Sequence, residues 1–181
     1  MELNPGLFSS HTADHYTPPE IIELTVKTLG GIDLDPCSNS RRSPVIPARE
    51  HYTRAENGLS LPWRGRVYMN PPYGRDIILW IKKLLSEYEA GRVSAAIALV
   101  PARVDTTWFS LLYEYPVVFI GGRLRFKTAL GDSQGSAPFP SAIVYLGPDI
   151  GSFIGEFGTI GRPYIPLVTK RDYWREFHYG A

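Results

Sequence analysis

Apolar residues along this chain follow first one period and then another, and the places where the period changes mark the elements. Ile21, Ile22, Leu24, Val26 and Leu29 recur at helical spacing behind Thr17-Pro18-Pro19-Glu20. This predicts a helix with Thr17 as its N-cap and the prolines in the first turn, where a missing N–H is harmless. Gly30-Gly31 ends it. Ile32 to Asp35 reads as a short strand broken at Pro36, and residues 38–62, poor in periodicity and rich in turn formers, read as loop with room for one short helix. Gly65 to Met69 is a second strand. Between Arg75 and Glu89, the residues Ile77, Ile78, Ile81, Leu84, Leu85 and Tyr88 share one helical face, while Lys82, Lys83 and Glu87 lie opposite. Ser94 to Val100 shows no alternation, as a central parallel strand buried on both faces should not. Asp105 or Thr106 can cap a short helix reaching Tyr113. Val117–Ile120, Leu124–Lys127 and Ala142–Leu146 read as three further strands, the last two pairing antiparallel across a loop rich in Gly, Ser and Pro. Strands alternating with helices predict an α/β open sheet, mostly parallel with an antiparallel C-terminal strand, and helices on both faces.

Composition narrows the class. A chain of 181 residues with 44% hydrophobic and 13% aromatic residues has the material for one well-packed domain. No apolar run approaches the ~20 residues that span a bilayer, and Met1 to Ser10 lacks a basic-then-apolar leader. A cytoplasmic protein without a membrane partner is therefore expected. Cys37 is the single cysteine, so no internal disulfide can form. His11, His15, His51 and His178 have no zinc-site spacing, and no metal is expected. The net charge of +1 hides an uneven distribution. Arg41, Arg42, Arg49, Arg54, Arg64, Arg66 and Arg75 face only Glu50 and Glu56 in their stretch of chain, after a segment that is mainly acidic. The planar fork of arginine suits phosphate contacts, and the same cluster also suits an irregular solvated surface.

The chemistry concentrates in Val67-Tyr68-Met69-Asn70-Pro71-Pro72-Tyr73-Gly74, where an apolar strand stops in a polar residue, two prolines and an aromatic. Pro71 drives Asn70 out of helical geometry, and neither Pro71 nor Pro72 has an N–H, so the turn offers acceptors without matching donors. The side-chain carbonyl of Asn70 and the main-chain carbonyl of Pro71 can take the two hydrogens of an exocyclic amino group while Tyr73 stacks on the ring that bears it. A strand-ending turn stiffened by prolines explains the prolines alone.

Asn-Pro-Pro-Tyr at a strand end resembles motif IV of the S-adenosylmethionine-dependent amino-methyltransferases, which methylate N6 of adenine, N4 of cytosine or a glutamine amide. The resemblance runs through Tyr16-Thr17-Pro18-Pro19, Asp33-Leu34-Asp35-Pro36-Cys37, Asn57-Gly58-Leu59 with Trp63, Pro101-Ala102-Arg103 with Asp105-Thr106 and Trp108-Phe109, and Gly122-Arg123-Leu124-Arg125-Phe126 in this order. Together these look like the short phage-type DNA N6-adenine methyltransferases. The resemblance implies a single Rossmann-like methyltransferase domain over residues 1–181, S-adenosylmethionine as cofactor, DNA as partner and a flipped-out adenine as target. Only 35 positions separate Asp35 from Asn70, where a full methyltransferase sheet fits two more strand–helix units, so an abbreviated sheet is expected on that side.

The candidate residues then take roles. Asn70, Pro71, Pro72 and Tyr73 form the catalytic corner, and Asn70 also borders the cofactor. Asp35, with Pro36 and Cys37 beside it, would pair with the ammonium of the cofactor's methionine moiety; an ordinary Asp-Pro turn explains the same residues, and Asp33 is a substitute. Thr17 and Pro18 resemble the segment that folds over the cofactor, and a plain helix cap is the alternative. Cys37 invites comparison with the Pro-Cys nucleophile of cytosine C5-methyltransferases, but the flanking pattern differs, and a small buried side chain accounts for it. Arg103 and Asp105 would order a loop or touch DNA, Phe139 would clamp the base or pack in the core, and Arg41 and Arg42 would meet phosphates. Methylation of cytosine N4 is the nearest rival, and a catalytically inactive nucleic-acid-binding module of the same fold is the rival from another class.

Overall fold

The unalternating run before Pro101 becomes the middle of a sheet. The structure, a computed structural model, describes residues 16–126 and 137–167. In chain order its elements are α1 (Pro19–Leu29), β1 (Ile32–Ser38), β2 (Ala48–Thr53), a 3-10 turn (Gly58–Ser60), β3 (Gly65–Met69), α2 (Ile77–Glu89), β4 (Val93–Pro101), α3 (Thr107–Ser110), β5 (Val117–Ile120), β6 (Ser141–Leu146), α4 (Ile150–Phe157) and β7 (Gly161–Tyr164). The strands form one sheet in the order β2-β1-β3-β4-β6-β5-β7. Neighbours from β2 to β4 pair in parallel, whereas β6 runs antiparallel to β4 and β5, and β7 antiparallel to β5. This is the α/β, Rossmann-like open sheet expected from the sequence, with two antiparallel strands instead of one.

Both faces are covered. Ile21, Leu29, Phe153 and Phe157 of α1 and α4 pack on Tyr68, Ile97, Ile143 and Tyr145 of one face. Ile77, Ile81 and Leu84 of α2 and Phe109 of α3 pack on Val67, Met69, Ala98 and Val144 of the other. The central strands β4 and β6 lie between the two layers and are almost wholly buried, which is why their sequences lack a period of two.

Several expectations need correction. Thr17 does not cap α1: Pro18 is the N-cap and no side chain bonds there. Pro19 lacks an N–H, the amides of Ile21 and Ile22 donate to the Pro18 carbonyl, and the Thr17 hydroxyl is engaged elsewhere. β1 does not break at Pro36 but runs to Ser38, tolerating the proline through a register shift between Asp35 and Ser38. The stretch 38–62 contains β2, an edge strand reading Ala-Arg-Glu-His-Tyr-Thr. Its charges guard an exposed edge and leave no apolar signal. The segment from Ile150, which carried no assigned element, supplies α4 and β7. Leu124–Phe126 is not a strand, and the antiparallel partners of β6 are β4 and β5; Lys127 lies outside the described residues. Glu87, placed on the solvent side of α2, is 4% exposed, held by Lys83 at 2.6 Å and by Arg92.

Beyond β1 the sheet is abbreviated as expected. Residues 39–47 connect β1 to β2 without a helix. The end of β1 is instead buttressed by the 3-10 turn. A Cβ on Gly58 would lie 2.3 Å from the Pro36 carbonyl oxygen, the Gly58 carbonyl accepts the Trp63 indole N–H at 2.8 Å, and Trp63 packs on Trp80 with centroids 6.1 Å apart. Only glycine permits this approach to a main-chain atom. Gly58→Ala should therefore destabilise the protein by about 1–3 kcal/mol, read as a lowered urea midpoint at unchanged slope; an unchanged midpoint would show that the turn does not press on β1.

Candidate active site

The C-terminal ends of β1, β2, β3, β4 and β5 lie along one edge of the sheet, because these strands share a direction. Open α/β sheets bind ligands at such an edge. Since α1 precedes β1 and returns antiparallel to it, its first turn lies over the same edge. Asp35, Asn70, Arg103 and the segment leading into β6 are thereby brought to one rim, although they are scattered over more than half of the chain.

Period-two geometry sorts them further. Leu34 pairs with Val67 and both face α2, so Asp35, Tyr68 and Asn70 face α1. There the side chains form a hydrogen-bonded chain. The hydroxyls of Tyr68 and Thr17 lie 2.8 Å apart, Asn70 Nδ2 donates to Thr17 Oγ1 at 3.4 Å, and the Tyr73 hydroxyl donates to Asn70 Oδ1 at 2.8 Å. Thr17 is 5% exposed and Tyr68 1%. The structure thus joins Tyr68, a residue that sequence reasoning missed, to Asn70 through Thr17. The only signal of Tyr68 was a polar tip inside an otherwise apolar strand.

Tyr73 does not lie with an open face. Its ring meets Phe139 edge-on at 5.3 Å and 78°, and Phe126 at 6.5 Å and 71°. The guanidinium of Arg103 sits 5.9 Å from the Phe139 centroid, within cation–π range. Three residues singled out separately, Tyr73, Arg103 and Phe139, form one aromatic and cationic cluster. In this arrangement the Tyr73 hydroxyl holds the Asn70 carbonyl, the acceptor an amino group would need. Pro71 is buried and Pro72 exposed. Asp105 is exposed in the turn before α3, and it is Thr106 that caps that helix, accepting from the Phe109 N–H at 3.4 Å.

Asp35 is 3% exposed. It accepts the Cys37 N–H at 3.0 Å, and no salt bridge neutralises it among the described residues. Burial pushes its carboxyl up to about 6, against the opposing pull of the Cys37 amide, His51 and Ser38. A buried carboxylate without a cation suits a ligand that brings one, and an ammonium group fits. Asp33 is spoken for: Arg66 donates to it from Nε at 2.9 Å and from Nη2 at 3.0 Å, holding the carboxyl down at about 2. Burial and the Asp35 carboxylate push the Cys37 thiol up, which keeps it from acting as a thiolate nucleophile.

The arginine run divides. Arg66 also donates to the carbonyls of Leu29 and Gly30 at the far end of α1, and Arg49 lies 3.6 Å from Asp33; these two brace the fold. Arg41 pairs with Glu56 just past β2, and Arg42 is exposed beside it. An open groove of about 550 Å³, lined by Pro18, Pro19, Glu20, Gly121, Arg123 and Arg125 among others, runs between the start of α1 and the loop after β5. Its two exposed arginines were quoted for their motif but not as contacts. Among the described residues no cluster of His, Cys, Asp or Glu could hold a metal ion, and no helix is long and apolar enough to cross a membrane.

Folding that buries an ionised Asp35 is unfavourable. Its folded pKa lies above the unfolded value, so its contribution to stability is fully present at acidic pH and is lost as pH rises through about 6. Asp35→Asn should accordingly raise the thermal midpoint of the ligand-free protein at pH 8 relative to wild type, and the gain should vanish near pH 4. A mutant less stable than wild type at pH 8 would mean that the carboxylate is satisfied by the fold itself.

Residues 9–164 match a family model described as DNA N-6-adenine-methyltransferase (Dam). No curated protein matches the chain.

Proposed function

The chain belongs to the DNA N-6-adenine-methyltransferase family, and on that premise we propose that it transfers a methyl group from S-adenosylmethionine to N6 of an adenine swung out of the duplex. The observation that carries this reading is the chain of hydrogen bonds ending at Asn70 beside a buried, unneutralised Asp35 on one sheet edge. Asp35 would hold the ammonium of the cofactor, with the main chain of Pro36 and Cys37 beside it, and Thr17 and Pro18 would close over it from the start of α1. Bound there, the cofactor supplies a methyl group already activated by its sulfonium.

What the protein must do is make the base's own exocyclic amine nucleophilic. The lone pair of an exocyclic amino group is delocalised into the ring. Asn70 Oδ1 and the Pro71 carbonyl would accept its two hydrogens and favour the more pyramidal nitrogen of the transition state. Positioning that nitrogen in line with the methyl carbon supplies much of the remaining acceleration. Swinging the base out costs a few kcal/mol, and stacking on Tyr73 returns about 1–3 kcal/mol by analogy with single-strand binders. The Tyr73 hydroxyl would leave Asn70 as the amino group arrives, so the acceptor passes from one donor to another without being left unpaired. Arg103 on Phe139, Asp105 in the turn beyond it and Arg42 line the same rim as DNA contacts, and Arg123 and Arg125 extend it along the groove beside α1.

Asn70→Ala should lower methyl transfer to DNA by on the order of 100-fold or more while cofactor affinity stays near wild type; Tyr73→Ala should be milder, and Tyr73→Phe milder still. Radiolabelled transfer at saturating cofactor measures this, and near-normal transfer by Asn70→Ala would sink the mechanism. Cofactor affinity in calorimetry should fall as pH drops below about 6, where Asp35 takes up its proton; binding that is flat from pH 5 to 8, or that needs a divalent ion, would move Asp35 out of the site.

Sequence choice should be limited. With α4 and β7 taking up most of residues 150–164, only short loops are left to read bases among the described residues, and each good bidentate contact discriminates by roughly 1–3 kcal/mol. A recognition site shorter than about six bases, with binding that weakens steeply as salt rises, is expected from mapping methylated adenines in a genome exposed to the protein. Confinement to one site of about six or more specified bases would contradict it.

A further inference from the structure

We infer that Tyr68 and Thr17 act together as positioning residues that fix which end of the Asn70 amide faces the target base. The inference rests on the proposed role of Asn70 and extends it to a residue that touches neither base nor cofactor. An amide side chain has a carbonyl at one end and an NH2 at the other, in nearly the same shape. Turned one way, Asn70 offers an acceptor to an incoming amino group. Turned the other way it offers two donors to a group that is itself a donor, and the site repels its substrate. Catalysis therefore needs something that tells the two ends apart from behind.

The geometry supplies it. Thr17 Oγ1 stands 3.4 Å from Asn70 Nδ2 as an acceptor, so the carbonyl end points away, to where the Tyr73 hydroxyl meets it at 2.8 Å. The Thr17 hydroxyl lies 2.8 Å from that of Tyr68, and the relay has Thr17 as the donor of this pair, which commits its proton to Tyr68 and leaves Thr17 Oγ1 only lone pairs to offer Asn70 Nδ2. Tyr68 is anchored: it is 1% exposed, lies in the sheet between β1 and β4, and packs in the cluster with Ile21, Ile97 and Ile143. Tyr68 and Asn70 are two residues apart on β3 and its continuation, hence on the same face, with Thr17 bridging them from the start of α1. A phenylalanine would fill the same apolar space without a hydroxyl to satisfy, and a buried hydroxyl left unpaired is unfavourable. Packing alone gives no reason for the oxygen of Tyr68; orientation of Thr17 does.

Tyr68→Phe tests this with the full-length protein, S-adenosylmethionine and unmethylated DNA. Turnover at saturating cofactor and DNA should fall roughly 10- to 100-fold, while the dissociation constants for cofactor and DNA and the thermal midpoint stay close to wild type. Thr17→Ser, which keeps the hydroxyl at a position that also closes over the cofactor, should lose clearly less turnover than Thr17→Val when both are read at saturating cofactor. Thr17→Val should lose turnover as Tyr68→Phe does, and the double variant should be no slower than Thr17→Val alone, because both changes break one relay. Wild-type turnover in Tyr68→Phe, or strictly multiplicative losses in the double variant, would overturn the inference and leave the methyltransferase reading standing. A wild-type protein that transfers no methyl group to DNA would instead remove the reading beneath it.

Discussion

Two consecutive residues without N–H groups stop β3 in the middle of the sheet, and the rest of the site is arranged around that stop. Pro71 and Pro72 can donate nothing to a ladder, so the hydrogen bonding that ties β3 to β1 and β4 ends at Met69. The neighbouring strands run on, β1 to Ser38 and β4 to Pro101. β3 thus falls short between longer neighbours at the edge where open α/β sheets bind ligands. Asn70 is the last residue before the stop, and its amide is met by the hydroxyls of Thr17 and Tyr73; in the proposed relay, Thr17 and Tyr68 set which end of it faces the target.

The same edge carries an electrostatic cost. Asp35 is buried beside it without a cation and has its pKa raised to about 6. The fold tolerates this through local bracing. The Cys37 amide binds the carboxylate, and Gly58 presses on the Pro36 carbonyl with Trp63 and Trp80 behind it. The contrast with Asp33 is instructive. Two residues earlier on the same strand, a carboxylate with Arg66 wrapped around it is held at about 2 and ties β1 and β3 to the end of α1. One aspartate is neutralised by the fold, and its neighbour is buried with no salt bridge among the described residues.

Much of this was legible in the residues, for identifiable reasons. β3, β4, β5 and β6 were readable as short apolar runs left by burial between two layers, and α2 because burial of one face imposes a helical period. Asn70 to Tyr73 stood out because an Asn and a Tyr bracket the two prolines at a strand end, and a stiffened turn accounts for the prolines but not for the bracket. β2 and β7 were not, since short edge strands need only main-chain pairing and carry charge or proline to protect their open side. Pro36 misled because a register shift can carry a proline within a strand. Thr17 looked like a cap because hydroxyl residues before helices usually are; only the placement of Tyr68, fifty-one positions away, gives its hydroxyl another use. The division of the arginines into braces and rim residues likewise depends on which carboxylates folding brings near them, and no local pattern records that.

A structure of the protein with DNA and a non-reactive analogue of S-adenosylmethionine tests the central claim most directly. The account predicts an extrahelical adenine with N6 within hydrogen-bonding distance of Asn70 Oδ1 and the Pro71 carbonyl, the Tyr73 hydroxyl displaced from Asn70 and its ring stacked on the base, and Nδ2 still on Thr17. An adenine bound elsewhere, with Tyr73 remaining on Asn70, would contradict it.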